Sequence, residues 1–398
     1  MKILLINKFL HPKGGAETYV FRLGACLENR GHQVQYFGMD HPDRQLGNRI
    51  GAYASYVDYH GSSKLQALSC IYSRKAAKQL RRVLEDFRPD VCHVNNFHHQ
   101  LTPSILREIV QWRREVGKHC PIVYTAHDSQ LVCPNHLMRN GSGENCGKCL
   151  GGDYRSCIKN RCIHGSLIKS TVGAWEAWFW DRMGIYRYLD TVLAPSRFLA
   201  RQLETKQEIR DRITALPNFT EQPGKTKKET GEYVLYFGRY SQEKGLGTLL
   251  RAASALPGIP FVFAGEGPMK ADVGKIPNVD DRGFCTGEAL EDLILGARFT
   301  VVPSECYENC PFSILESQSR GTPVLAADIG GIPELVRWGE TGELFESGNV
   351  DQLIQKIADL WDSEERLAGY EYGCKERCLL TAEAYCAKLE RIYRGESQ

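Results

Sequence analysis

The chain has 398 residues, enough for two ordinary domains rather than one core. With 42% hydrophobic and 25% charged residues and a formal net charge of +2, it reads as a soluble globular protein with no basic excess that would mark nucleic acid as a partner. No apolar run approaches the roughly 20 residues needed to span a bilayer, and Met1–Ile6 is too short for a signal-peptide core. A cytoplasmic protein is expected, or one lying peripherally at the inner face of the plasma membrane.

Lys2–Ile6 reads as a buried first strand. His11-Pro-Lys-Gly14-Gly15-Ala-Glu17 turns it into a helix over Glu17–Arg30, with Val20, Leu23 and Leu27 on one face and Gly31 as its stop. Glycines at such a corner let a ligand approach the backbone. Gln33–Phe37, Asp90–Val94, Ile122–Ala126 and Thr191–Ala194 continue as short buried strands, the rhythm of a parallel sheet covered on both faces. The basic helix with Arg74, Lys75, Lys78, Arg81 and Arg82 is either a solvated face or a contact with anionic headgroups. His93, His98 and His99 flank one strand end, and Asp128 follows another. His98, His99 and Asp128 are the candidate acceptor contacts.

Fifteen cysteines in a chain without a secretion signal point to reduced thiols or metal ligands. Cys26, Cys70, Cys92 and Cys374 are scattered and read as small core residues. Cys133, Cys146, Cys149, Cys157 and Cys162 are not. Cys146-Gly-Lys-Cys149 has the spacing of a zinc knuckle, inside a glycine-rich insert over about 133–162 that lacks a core of its own. A structural Zn2+ on Cys133, Cys146, Cys149 and Cys162 is the sharper expectation, with Cys157 and His136 in reserve. Incidental thiols are the plainer one. Next, Ser166–Tyr188 holds Trp175, Trp178 and Trp180. The stripe Val172, Trp175, Trp178/Phe179 is either packing or an interfacial face gripping lipid or a lipid-linked acceptor.

Asn218–Glu232 is polar and charged, which marks a domain junction. A second strand series follows at Tyr233–Phe237, Pro260–Ala264, Phe299–Pro303 and Pro323–Ala327. Each strand runs into a glycine-containing or acidic turn. Gly238-Arg239…Lys244-Gly245 sets two cations beside a helix start, suited to clamping a diphosphate. Gly265-Glu-Gly267-Pro268 is too short a match for a dinucleotide fingerprint. Glu308 and Glu316 stand seven residues apart across Asn309-Cys310-Pro311-Phe312-Ser313, where a loop enters a helix. Carboxylates there suit neutral sugar hydroxyls while backbone N–H groups take a phosphate. The last turn is Gly330-Gly331-Ile-Pro-Glu334.

In this order, Gly14-Gly15-Ala-Glu17, Gly238-Arg239…Lys244-Gly245, Pro303-Ser304…Glu308…Glu316 and Gly330-Gly331-Ile-Pro-Glu334 resemble the family 4 retaining glycosyltransferases of GT-B fold, across essentially the whole chain. The resemblance implies two doubly wound, Rossmann-like α/β domains facing a cleft. These would be residues 1–217 and 218–379, with a helix over about 380–398 returning to the first. It implies a nucleotide-sugar donor, most readily UDP-linked, and a glycan or lipid-linked acceptor in bacterial surface-polysaccharide assembly. Arg239 and Lys244 would neutralise the diphosphate, and Glu316 would bind ribose. Glu308 and the Asn309–Ser313 backbone would hold the sugar, with the segment around Gly283, Phe284 and Cys285 about the base and Gly265 among the donor contacts. Gly14 and Gly15 would approach the donor from the first domain, and His127 would face the reacting centre. No Asp-x-Asp stands near this site, which agrees with hexosyl transfer that needs no catalytic metal. Asn309-Cys310 departs from the small-aromatic pair of relatives, which bears on donor choice. Two rivals compete. A nicotinamide oxidoreductase lacks its full G-x-G-x-x-G, and a non-catalytic sugar-nucleotide-binding scaffold is at odds with the intact charged set.

Overall fold

The computed structural model describes residues 1–57, 71–229 and 231–396, so Cys70, Thr230 of the junction and the last two residues of the returning helix lie outside the described residues. The chain divides into two compact units, residues 1–217 with 382–398, and residues 218–381.

Unit 1 has strands β1 (Lys2–Ile6), β2 (Gln33–Phe37), β3 (Val91–Val94), β4 (Ile122–Thr125), β5 (Thr191–Ala194) and β6 (Ile213–Ala215). They form one parallel sheet in the order β2-β1-β3-β4-β5-β6. Its helices are α1 (Gly15–Asn29), α2 (Arg74–Phe87), α3 (Ser104–Glu115), α4 (Arg155–Lys159), α5 (Leu167–Arg182) and α6 (Arg197–Leu203). Residues of β1, β3 and β4 are almost entirely buried, as a sheet covered on both faces requires. Helix α1 begins two residues earlier than its apolar pattern suggests, because Gly14 O accepts from both the amide and the hydroxyl of Thr18.

Unit 2 has β7 (Tyr233–Phe237), α7 (Leu246–Ala255), β8 (Phe261–Ala264), α8 (Lys270–Val273), β9 (Val279–Asp281), α9 (Gly287–Gly296), β10 (Ala297–Val302), α10 (Phe312–Ser319), β11 (Val324–Ala327), β12 (Gly342–Phe345), α11 (Val350–Trp361) and α12 (Glu364–Glu376). Its parallel order is β12-β11-β10-β7-β8-β9. From β7 the chain winds outward through β8 and β9. From β10 it winds the other way through β11 and β12. The loops after β7 and β10 therefore lie at a topological switch point, where open α/β sheets take ligands. In unit 1 the same reversal falls between β1 and β3.

The junction segment begins where the chain divides and is anchored within unit 2, since Lys227 is buried and its ammonium meets Glu371 at 2.9 Å and the Ala297 carbonyl at 2.5 Å. The basic helix α2 has part of its charge paired. Arg81 is engaged by Glu85 at 2.7 Å, by Glu108 at 3.3 Å and by Glu115, the last two from α3.

The final helix, α13 (Ala382–Tyr393), packs on α1. Its Tyr385 hydroxyl meets Tyr19 at 2.8 Å, and Tyr19 lies 3.3 Å from Thr125 Oγ1. Thr125 Oγ1 is 2.7 Å from Nε2 of His93, whose Nδ1 lies 2.6 Å from the Tyr393 hydroxyl. All five side chains are buried, so each polar atom is satisfied inside the network.

Candidate active site

In unit 2 the two loops of the switch point are tied together by backbone. Glu243 O accepts from Glu305 N at 3.0 Å and from Cys306 N at 3.1 Å. Across this tie, Lys244 Nζ sits 2.5 Å from Glu308 Oε1, and Ser304 Oγ donates to the same oxygen at 2.8 Å. Burial, the largest influence on Lys244, pushes its ammonium down. The facing Glu308 carboxylate and Cys306 outweigh that and leave it above the usual lysine range. Two glycines make the geometry possible. A Cβ on Gly245, where φ is +72°, would lie 1.7 Å from Pro303 O, and one on Gly330, φ +63°, would lie 2.4 Å from Glu308 O. Gly331 N donates to that Glu308 carbonyl at 2.6 Å. The last glycine turn of the sequence is thus the brace for the Glu308 loop.

Helix α10 starts at Phe312, with Pro311 as its extended N-cap rather than its first helical residue. Ser313 is half-buried, and Glu316 lies one turn in, also half-buried. Cys310 is turned into the unit 2 core, and its carbonyl accepts from Asn218 Nδ2 at 2.9 Å. Arg239 is exposed, with its carbonyl held by the Tyr236 hydroxyl at 2.8 Å. The Gly265-Glu-Gly267 turn and the segment after β9 are neighbours. Tyr240 and Gly283 N both bond Asp281 Oδ1, at 2.9 and 3.0 Å. Phe284 stands 70% exposed beside Cys285, an open ring available for stacking.

In unit 1, Gly14 and Gly15 open α1. Behind them Asn7 Nδ2 donates to Glu17 Oε1 at 3.0 Å, and Asn7 Oδ1 accepts from Asn96 N at 3.1 Å. Burial raises the Glu17 carboxyl. His127 Nε2 donates to Asn95 Oδ1 at 2.9 Å, and its ring lies edge-on to Tyr19 at 4.8 Å. Burial lowers His127 to about 4 and His93 to about 3, so both are neutral near pH 7. His93 does not line a ligand site: both its nitrogens are consumed by the network under α13. His98 is buried against the Tyr186 hydroxyl at 3.2 Å. His99 pairs with buried Glu176 at 2.8 Å, and half-buried Asp128 accepts from Gln130 N at 2.9 Å. Asn7 and Asn95 were not singled out in the sequence, and Glu17 and Ser304 stood there only as members of motifs. A polar residue buried at the carboxyl end of an apolar strand, as Asn7 is, was the available signal.

Cys133, Cys146, Cys149, Cys157 and Cys162 line a single small cavity with Met138 and Leu150. Burial raises Cys133 to about 11 and Cys149 to about 12. The donor set suits a soft divalent ion. The placement does not yet close around one, since among the described residues no three histidine, cysteine or acidic groups stand so as to hold a metal.

Two doubly wound parallel sheets, one with a cation–carboxylate pair at its switch point, define a two-domain α/β protein of GT-B fold. Residues 13–221 match the Glycosyltransferase Family 4 domain, and residues 218–377 match Glycosyl transferases group 1. The chain belongs to glycosyltransferase family 4. A sulfoquinovosyl transferase of Arabidopsis thaliana is 30% identical over 203 residues, 46% of this chain but only 39% of that protein. A phosphatidyl-myo-inositol mannosyltransferase of Mycobacterium leprae is 24% identical over 87% of this chain and 83% of its own. An uncharacterised protein of the Klebsiella pneumoniae cps region is 23% identical over 94% and 97%. In fold, the chain is similar to sucrose-phosphate synthase of Thermosynechococcus elongatus (TM-score 0.71, 18% identity, 99% and 98% covered). It is likewise similar to Anabaena HepE in complex with UDP (TM-score 0.67, 16% identity, 99% and 100% covered).

Proposed function

We propose that this glycosyltransferase moves a hexosyl group from a UDP-linked donor to a glycan or lipid-linked acceptor, with retention of configuration, in surface-polysaccharide assembly. The Lys244–Glu308 pair across the switch point carries the reading. An incoming diphosphate offers Lys244 more negative charge than one carboxylate does, so the ammonium changes partner. Glu308, still gripped by Ser304 and braced by Gly331, then accepts from sugar hydroxyls. As the bond to the sugar breaks, charge grows on the departing phosphate. Lys244, Arg239 and the first N–H groups of α10 stabilise it, without a catalytic metal in the scheme. The departing phosphate takes the acceptor proton. His127, neutral through burial, is a hydrogen-bonding group rather than a cation. The UDP seated in the Anabaena relative supports the base assignment, and the cps-region relative supports the pathway class.

A thermal-shift series with UDP, GDP, ADP and NAD tests the donor, because a ligand that binds only the folded state raises Tm. A rise with UDP and none with NAD is expected. A rise with NAD alone would overturn the reading. For the thiol pocket we propose a structural Zn2+ on Cys133, Cys146, Cys149 and Cys162, on donor chemistry and the one small cavity these cysteines line. Ligation requires those thiols to turn inward. Elemental analysis of the purified protein should find one zinc per chain, lost in Cys146→Ser/Cys149→Ser; zinc-free wild type with an unchanged Tm would retire the ion.

A further inference from the structure

Helix α5 is inside out for a helix on a water-exposed surface. Its inner face is firmly held. Trp180 Nε1 donates to Ile71 O at 3.0 Å and stacks on Tyr72, and Glu176 binds His99. Ser166 Oγ caps the start by accepting from Lys169 N. The outer face should then be polar. Instead Ile168 is 72% exposed, Trp178 54%, Trp175 and Leu167 51% each, and Met183 just beyond is 46% exposed. Ile168, Trp175 and Trp178 follow at +7 and +3, which places them in one stripe, with Phe179 stacked on Trp175 at 5.9 Å. The other exposed positions from Leu167 to Met183 are Lys169, Thr171 and Arg182. None is acidic. Asp181 is half-buried and taken by Lys206 at 2.5 Å.

We infer that this face docks on an anionic lipid surface, with α5 lying in the plane of the interface. A contiguous exposed apolar stripe marks an interaction site, and indoles favour the boundary between hydrocarbon and water. Cations at both ends of α5 and no exposed carboxylate on it suit phosphate-bearing headgroups, and the exposed Asp153 beside α4 is paired with Arg155 at 2.8 Å. Exposed Lys159 and Arg161, in and just after α4, which packs on α5, add to the same charge. A second copy is the poorer occupant, since a two-fold contact through this face would set its cations against one another. At 16 residues α5 is roughly 24 Å long, and no described helix is long and apolar enough to cross a membrane, so the contact is peripheral. The inference does not depend on the transfer reaction.

Flotation of the full chain with phosphatidylcholine vesicles, with and without 30% (roughly) phosphatidylglycerol, decides it. Binding to the anionic vesicles, weakened by salt, is expected. Trp175→Ser/Trp178→Ser and Lys169→Glu/Arg182→Glu should each reduce it about tenfold or more, with the UDP-induced Tm rise retained. Wild type that stays unbound, or binding unaltered in the tryptophan variant, overturns the inference. So does a concentration-dependent dimer that this variant abolishes, which would assign the face to a second copy. Should the variant fail to fold, brominated lipids serve instead: quenched wild-type fluorescence supports the inference and unquenched fluorescence overturns it.

Discussion

Unit 1 holds every histidine of the chain, from His11 to His164, whereas residues 218–381 contain none. Unit 1 is knit by neutral, buried hydrogen bonds among histidine, tyrosine, threonine and asparagine. The ligand-bearing loops of unit 2 are knit by ion pairs and close glycine contacts. Two sheets of kindred topology are thus stabilised by different chemistry, and they answer differently to the same perturbation. A pairing of fixed charges hardly notices pH between 5 and 8. A network built on neutral imidazoles does.

The sharpest cut is Lys244→Ala in unit 2. It removes leaving-group stabilisation and frees Glu308, so turnover should fall by about 10²–10³, with the pH response of unit 1 intact. Steady-state transfer measured on the variant checks this, and wild-type turnover would remove Lys244 from the scheme. Gly330→Ala strikes the same loop through the backbone. The left-handed φ and the 2.4 Å approach to Glu308 predict a loss of about 1–3 kcal/mol in stability, with weakened UDP binding, both readable by thermal shift.

Acid separates the two units. His93 and His127 are held neutral in the fold, at about 3 and about 4, and take up a proton more readily once unfolded. Their contribution is therefore complete above about pH 6.5 and is lost as the pH falls from there toward 4. Pulse-labelled hydrogen exchange should show unit 1 peptides opening first on acidification. Simultaneous opening of both units would break the comparison. The mildest test is Tyr393→Phe, which leaves His93 Nδ1 without its partner. It should cost about 1–2 kcal/mol and lower the Tm of unit 1 alone.

Much of this was written locally in the chain. Apolar runs of four to six residues between glycine corners mark both sheets, and Glu308 through Glu316 announces a loop entering a helix. What stayed hidden was decided at a distance. A histidine in Val91-Cys-His-Val94 reads the same whether it lines a pocket or is sealed inside. The sealing hydroxyl of Tyr393 lies 300 positions away. Arg239 and Lys244 read as two free cations because the partner of Lys244 is 64 residues on. Helix α5 is apolar on both faces, so no periodicity could say that Trp180 is core while Trp175 and Trp178 meet solvent.

The closure of unit 1 by α13 also orders events in time. Tyr19 and Tyr385 are 366 positions apart, so the buried network around Tyr19, Thr125 and His93 cannot be finished until residue 393 has been made. Residues 218–381 run without interruption and contain all the strands of their own sheet. In chain order the later unit has all its elements by residue 381, and the earlier one is closed only by the helix that follows.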